Sequence, residues 1–158
     1  MRRATSTSFL ALALLIAHSA AWASPQDLVS RLVQAAPGIN PGVLALAVNA
    51  LHCATQEGDD GVRRLAVIDY SRPSSEQRMW VFDLSAAKLL HLERVARGRG
   101  TGENLSEHFS NRPGSHQSSL GLFRTRETYM GGNGYSLRLE GLDPGFNDRA
   151  RERAIVIH

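Results

Sequence analysis

Between Gln56 and Leu65 the apolar pattern of this chain changes period, and that change sets what it can fold into. Before it, apolar residues recur at helical spacing: Leu28, Leu32 and Val33, then Leu44, Ala47, Val48 and Leu51. After it, short apolar and β-branched runs are punctuated by glycine, proline and serine. A segment with a period near 3.6 buries a helix stripe, and one with a period of 2 buries a strand face. The chain is therefore expected to be mainly β with some α, an α+β fold that opens with a helical hairpin.

The helices carry start and stop signals. Ser24-Pro25-Gln26-Asp27 supplies a cap, a proline at the first helical position and an acid three residues on. Pro37-Gly38 ends that helix, Asn40-Pro41 starts the next, and the apolar stripe runs to about Gln56. Glu57 to Gly61 is a turn-rich break. Strands follow over Leu65–Tyr70, Arg78–Leu84 and Lys88–Val95, joined by a loop at 71–76 and a turn at Ser85-Ala86-Ala87, which reads as a β-meander. A polar stretch rich in glycine and serine then lasts from Gly98 to about Ser119, and a loop of that length in a compact domain is commonly functional. Gly121–Tyr129 and Tyr135–Leu139 form a hairpin about Gly131-Gly132-Asn133-Gly134, where glycine and asparagine accept positive φ. Asp148–Arg153 reads as a short charged helix, and Ala154-Ile155-Val156-Ile157 as a buried strand ending on His158.

Residues 1–23 stand apart. Arg2 and Arg3, the apolar run Phe9–Ala17 and Ala21-Trp22-Ala23 match a secretory signal peptide cleaved before Ser24. The run is far below the ~20 residues that span a bilayer, so an exported protein without a stable membrane span is expected, in the periplasm or cell wall. About 135 residues remain, enough for one domain with a core. Their charge is nearly balanced once the two arginines leave, and no basic stripe interleaves with aromatics, so nucleic acid is not an expected partner.

The chemistry-bearing residues are few. Cys53, the only cysteine, lies inside the second helical pattern and is expected in the core, since free cysteine is among the most buried residue types. His52, His91, His108 and His116 lack metal-ligand spacing, and no metal or cofactor is expected. Gly98, Gly100 and Gly102 follow a strand, but no apolar-periodic helix follows them, which rules against a dinucleotide site.

Three segments go further: Ile68–Ser74 with Arg78–Leu84; Phe109–Ser115 with Ser118-Ser119-Leu120-Gly121-Leu122-Phe123; and Tyr129–Leu139 with Gly141-Leu142 and Arg153-Ala154-Ile155-Val156-Ile157-His158. In this order and spacing the chain resembles the murein L,D-transpeptidase catalytic domain family, a YkuD-like group. The resemblance implies a β-rich sandwich with a capping loop. It also implies a cysteine, in a Ser-x-Gly-Cys stretch shortly after a His-Gly pair, that acylates itself on a peptidoglycan stem peptide. Such a thiol needs a nearby base, and its thioester oxyanion needs N–H donors.

By resemblance His158 matches the His-Gly histidine and is the candidate catalytic residue. Ser118, Ser119, Gly121 and Phe123 match a substrate-groove strand, while Tyr129, Gly131 and Gly134 match a hairpin near the cleft. Arg97 stands where a histidine is expected. It cannot act as a base, but it can bind a stem-peptide carboxylate. No Ser-x-Gly-Cys segment is present. The expectation is a domain over 61–158 that is incomplete at its C-terminus, preceded by a hairpin over 24–60 and inactive by itself. The alternative is an exported module that holds peptidoglycan without chemistry.

Overall fold

The computed structural model describes residues 24–56 and 61–158, so the signal-peptide reading and most of the turn after Gln56 lie outside the described residues. Two helices, α1 (Pro25–Ala35) and α2 (Pro41–Gln56), precede six strands: β1 (Arg64–Ile68), β2 (Gln77–Asp83), β3 (Lys88–Arg94), β4 (Phe123–Gly131), β5 (Gly134–Gly141) and β6 (Val156–Ile157). The strands form two antiparallel three-stranded sheets, ordered β1-β2-β3 and β4-β5-β6. The fold is α+β.

Both helices start as their sequences require. The Ser24 hydroxyl accepts the Asp27 N–H at 3.3 Å, and Asn40 Oδ1 accepts the Gly42 N–H at 2.8 Å. In β1 and β2 the alternation turns Leu65, Val67, Trp80 and Phe82 to one face, where the register pairs Leu65 with Phe82 and Val67 with Trp80. Leu32, Leu44 and Val48 close over that face. The main hydrophobic core therefore lies between the helical hairpin and the first sheet. Arg72 ties the two together, donating to the Gly38 carbonyl at 3.0 Å and stacking over Trp80 at 5.5 Å.

Three expectations need correction. Cys53 is exposed. At 3.6 residues per turn it lies about 200° round the helix from Leu51, so it shares the outward face with the exposed Leu46. Residues 148–153 form successive turns rather than a helix. Ile155, Val156 and Ile157 are half-buried, and the strand they form is two residues long, paired on one side with β5. A run of β-branched residues marks strand preference, but burial depends on what packs above it. In the hairpin, Gly131 pairs with Gly134 around Gly132-Asn133, and the positive φ falls on Gly134.

The exposure of Cys53 has a measurable consequence. In the folded chain its thiol is expected to react with Ellman's reagent about as fast as in the unfolded chain. C53S should change stability by less than about 0.5 kcal/mol. Slow labelling that accelerates on denaturation would return Cys53 to the interior.

Candidate functional site

The long loop is ordered by its own polar contacts. Thr101 is fully buried and accepts the Ser118 N–H at 2.7 Å, while the Ser118 hydroxyl accepts the Gly98 N–H at 3.0 Å. Gly98 and Gly100 are there because two backbones meet. A Cβ at Gly98 would lie 2.4 Å from the His116 carbonyl oxygen, and one at Gly100 would lie 2.7 Å from that of Ser115. Phe109 and Ser118 form a single parallel bridge. Arg97 turns inward to the loop, donating to the Gly102 carbonyl at 2.7 Å, with Glu103 3.9 Å away.

Arg78 closes the same loop from the first sheet. It is the fully buried first member of the inward row that includes Trp80 and Phe82. Its guanidinium donates to the Val95 carbonyl at 2.8 and 3.1 Å and to the Arg72 carbonyl at 2.9 Å, and it stacks on Tyr70 at 4.9 Å. Burial lowers its pKa below the ordinary arginine value, but the group stays charged. The sequence shows an arginine at the head of a strand and nothing of this role.

A second guanidinium holds the other side. Arg153 donates to the Ser110 and Gln117 carbonyls and to the Ser119 and Ser115 hydroxyls. Burial also pushes its pKa down. Ser119 in turn donates to the Ser110 carbonyl at 3.0 Å. Both candidate serines are thus buried, with their hydroxyls engaged within the protein.

Gly121 follows at φ +107°, where a Cβ would lie 2.3 Å from Asp143 Oδ2 and 2.5 Å from Asn147 Nδ2. Asn147 is fully buried. Its amide donates to the Leu120 carbonyl at 3.1 Å and the Leu122 carbonyl at 3.0 Å, and it accepts the Asp143 N–H at 2.8 Å. Asp143 Oδ2 accepts the Leu122 N–H at 2.8 Å. Phe123 is half-buried where β4 begins, paired with Gly141. The only sequence signal for the Asp143–Asn147 lock is the turn about Pro144-Gly145, which does not reveal its partner at Gly121.

His158 is exposed. It stands one residue beyond the Leu137–Ile157 pair, so the register sets it across from Ser136, which pairs with Tyr129. Tyr129 is stacked by Arg138 at 4.0 Å, and Arg138 meets Glu127 at 3.3 Å. Four residues lie between Arg153 and His158, five steps that span no more than about 18 Å. Segment 118–123, the Asp143–Asn147 turn, β6 and the hairpin thus form one connected arrangement. Arg97 joins it through the loop, and Cys53 does not. Among the described residues no three His, Cys, Asp or Glu side chains gather to hold a metal, and no helix is long and apolar enough to cross a membrane.

The L,D-transpeptidase catalytic domain family matches the chain over residues 35–158, from the end of α1 to the last residue. The chain belongs to this family. No curated protein and no solved structure matches it. The family acts on peptidoglycan, and family membership gives this domain an L,D-transpeptidase-like role.

Proposed function

We propose that this chain holds stem peptides for a peptidoglycan L,D-transpeptidase that works by cysteine acyl transfer, in the periplasm or cell wall and without a cofactor. The observation that carries the reading is the family match, which runs through α2, both sheets and β6 to His158. In this chemistry a thiolate attacks a stem-peptide carbonyl and expels an amine. The resulting thioester then passes its acyl group to the amine of another stem. His158 is the group that takes the thiol proton. Ser118, Ser119 and Gly121, in the irregular segment before β4, and Phe123 at the start of that strand set the course of one groove wall, and Arg97 offers a fixed cation to a carboxylate.

Cys53 is not the nucleophile of this proposal, because it faces outward on α2 and the candidate site is built from the loop and the second sheet. The 158 residues by themselves are expected to sediment with peptidoglycan sacculi but to form no crosslinked muropeptide and no acyl adduct. Product formation that survives C53S would overturn the chemistry. Failure of the folded chain to sediment would overturn the partner.

A second reading, a binding module without catalysis, is favoured by Arg97 at the position where a histidine is expected. The reading frame past codon 158 separates the two. A glycine followed shortly by Ser-x-Gly-Cys favours the enzyme, and an immediate stop favours the module.

A further inference from the structure

Two segments distant in sequence meet beside the groove, where the long loop touches the turn leading to β6. Asn111 Nδ2 donates to Asp148 Oδ1 at 2.7 Å, and Asn111 Oδ1 accepts the Arg149 N–H at 3.2 Å. The Gly145 N–H donates to the same Asp148 oxygen at 3.0 Å. These contacts fix the walls of a cavity of about 280 Å³ lined by Asn111, Arg112, Gly145, Asp148 and Arg149. That size suits one amino-acid-sized group, just under the ~300 Å³ lower end of small-ligand pockets.

The charges in it are poised rather than spent. Among the described residues the Arg112 and Arg149 guanidiniums have no hydrogen bond or ion pair, and Asp148 Oδ2 has no partner. Guanidinium groups bind carboxylates through parallel N–H donors. A simple anion would satisfy the arginines but would face the Asp148 carboxylate. A group with both charges satisfies all three. We propose that this cavity binds the zwitterionic head group of an amino acid, its α-carboxylate toward Arg112 and Arg149 and its α-ammonium toward Asp148 Oδ2. The inference deepens the stem-peptide reading and rests on it, since it places a free amino-acid end of a peptidoglycan peptide next to the groove. The step is binding alone, and no bond is made or broken.

The test is a titration of the isotope-labelled full chain, followed by NMR. The probes are diaminopimelate, pimelate (the same diacid without amines) and cadaverine (the diamine without carboxylates). Diaminopimelate is expected to shift the Gly145 and Arg149 amides and the Asn111 side-chain amide saturably, and the other two only weakly. R112Q and R149Q should each weaken diaminopimelate about tenfold or more, the loss of one charged hydrogen-bonding group. D148N keeps the Oδ1 acceptor and should weaken diaminopimelate while strengthening pimelate. Equal binding of pimelate and diaminopimelate, or variants that change nothing, overturns the proposal. An intact stem peptide that shifts Ser118 and Ser119 but not Gly145 also overturns it and leaves the transpeptidase reading standing. Diaminopimelate binding without any retention on sacculi supports the cavity and sinks that reading.

Discussion

Changing Asn147 to aspartate is expected to destabilise the protein by about 3–5 kcal/mol, although the two side chains have the same shape. Asn147 is fully buried, and its amide nitrogen serves the Leu120 and Leu122 carbonyls and Asp143 Oδ2. In N147D that nitrogen becomes an oxygen: the Leu120 carbonyl loses its donor, the Leu122 carbonyl keeps only the Leu142 N–H, and Asp143 Oδ2, which keeps the Leu122 N–H, meets a second carboxylate. A buried group left without a donor costs about 1–3 kcal/mol, and an uncompensated buried charge about 3–5 kcal/mol. A second carboxylate beside Asp143 raises the folded-state pKa of the new acid. The pH sign follows. The charge part of the penalty is full above that raised value, shrinks as pH falls through it and vanishes below the ordinary carboxyl range, where the acid is neutral in folded and unfolded states alike, while the lost amide donation remains. Urea unfolding at neutral and acid pH measures both effects. A loss below about 1 kcal/mol at neutral pH would remove Asn147 as the lock between the turn at Gly121 and the segment leading to His158.

Arg78→Met is expected to cost about 2–5 kcal/mol and to loosen the long loop. Methionine fills much of the volume but brings no donor to the Val95 and Arg72 carbonyls, at about 1–3 kcal/mol for each buried group left unpaired. Arg78→Lys should fall between, since a single ammonium lacks the fork that reaches both carbonyls. Amide exchange at Gly98, Gly100 and Thr101 should accelerate in R78M more than at Val67 or Phe82, which are paired within β1 and β2. Uniform acceleration would show that Arg78 supports only the first sheet. Unchanged exchange would show that the Thr101–Ser118 contacts hold the loop by themselves.

Both positions show where reading the chain in order stops. Asn147 lies in an Asp-Pro-Gly-Phe-Asn turn that is legible as a turn. What it closes upon is Gly121, far away along the chain, and local pattern carries no information on that distance. Arg78 heads an alternating Arg-x-Trp-x-Phe-x-Leu row. Strand period places Arg78 on the same face as Trp80 and Phe82, so its burial follows from the period as much as theirs does. Charged residues are rarely buried unless paired, and the carbonyls that satisfy this one come from Val95 and Arg72. Cys53 failed for the opposite reason. Residue type argued for burial, while its angle from Leu51 pointed it outward, and geometry prevailed.

From residue order alone came the two capped helices, the meander, the glycine hairpin, the α+β class and the family resemblance, because each is written in spacing, caps and turn residues close together in the chain. Tertiary structure decided that the core lies under the helical hairpin and that β6 is a short half-buried edge. It also decided that Arg78, Arg153 and Asn147 hold the candidate site. Those outcomes depend on contacts between segments that meet only after folding, where a buried donor must find its acceptor wherever the backbone has carried it.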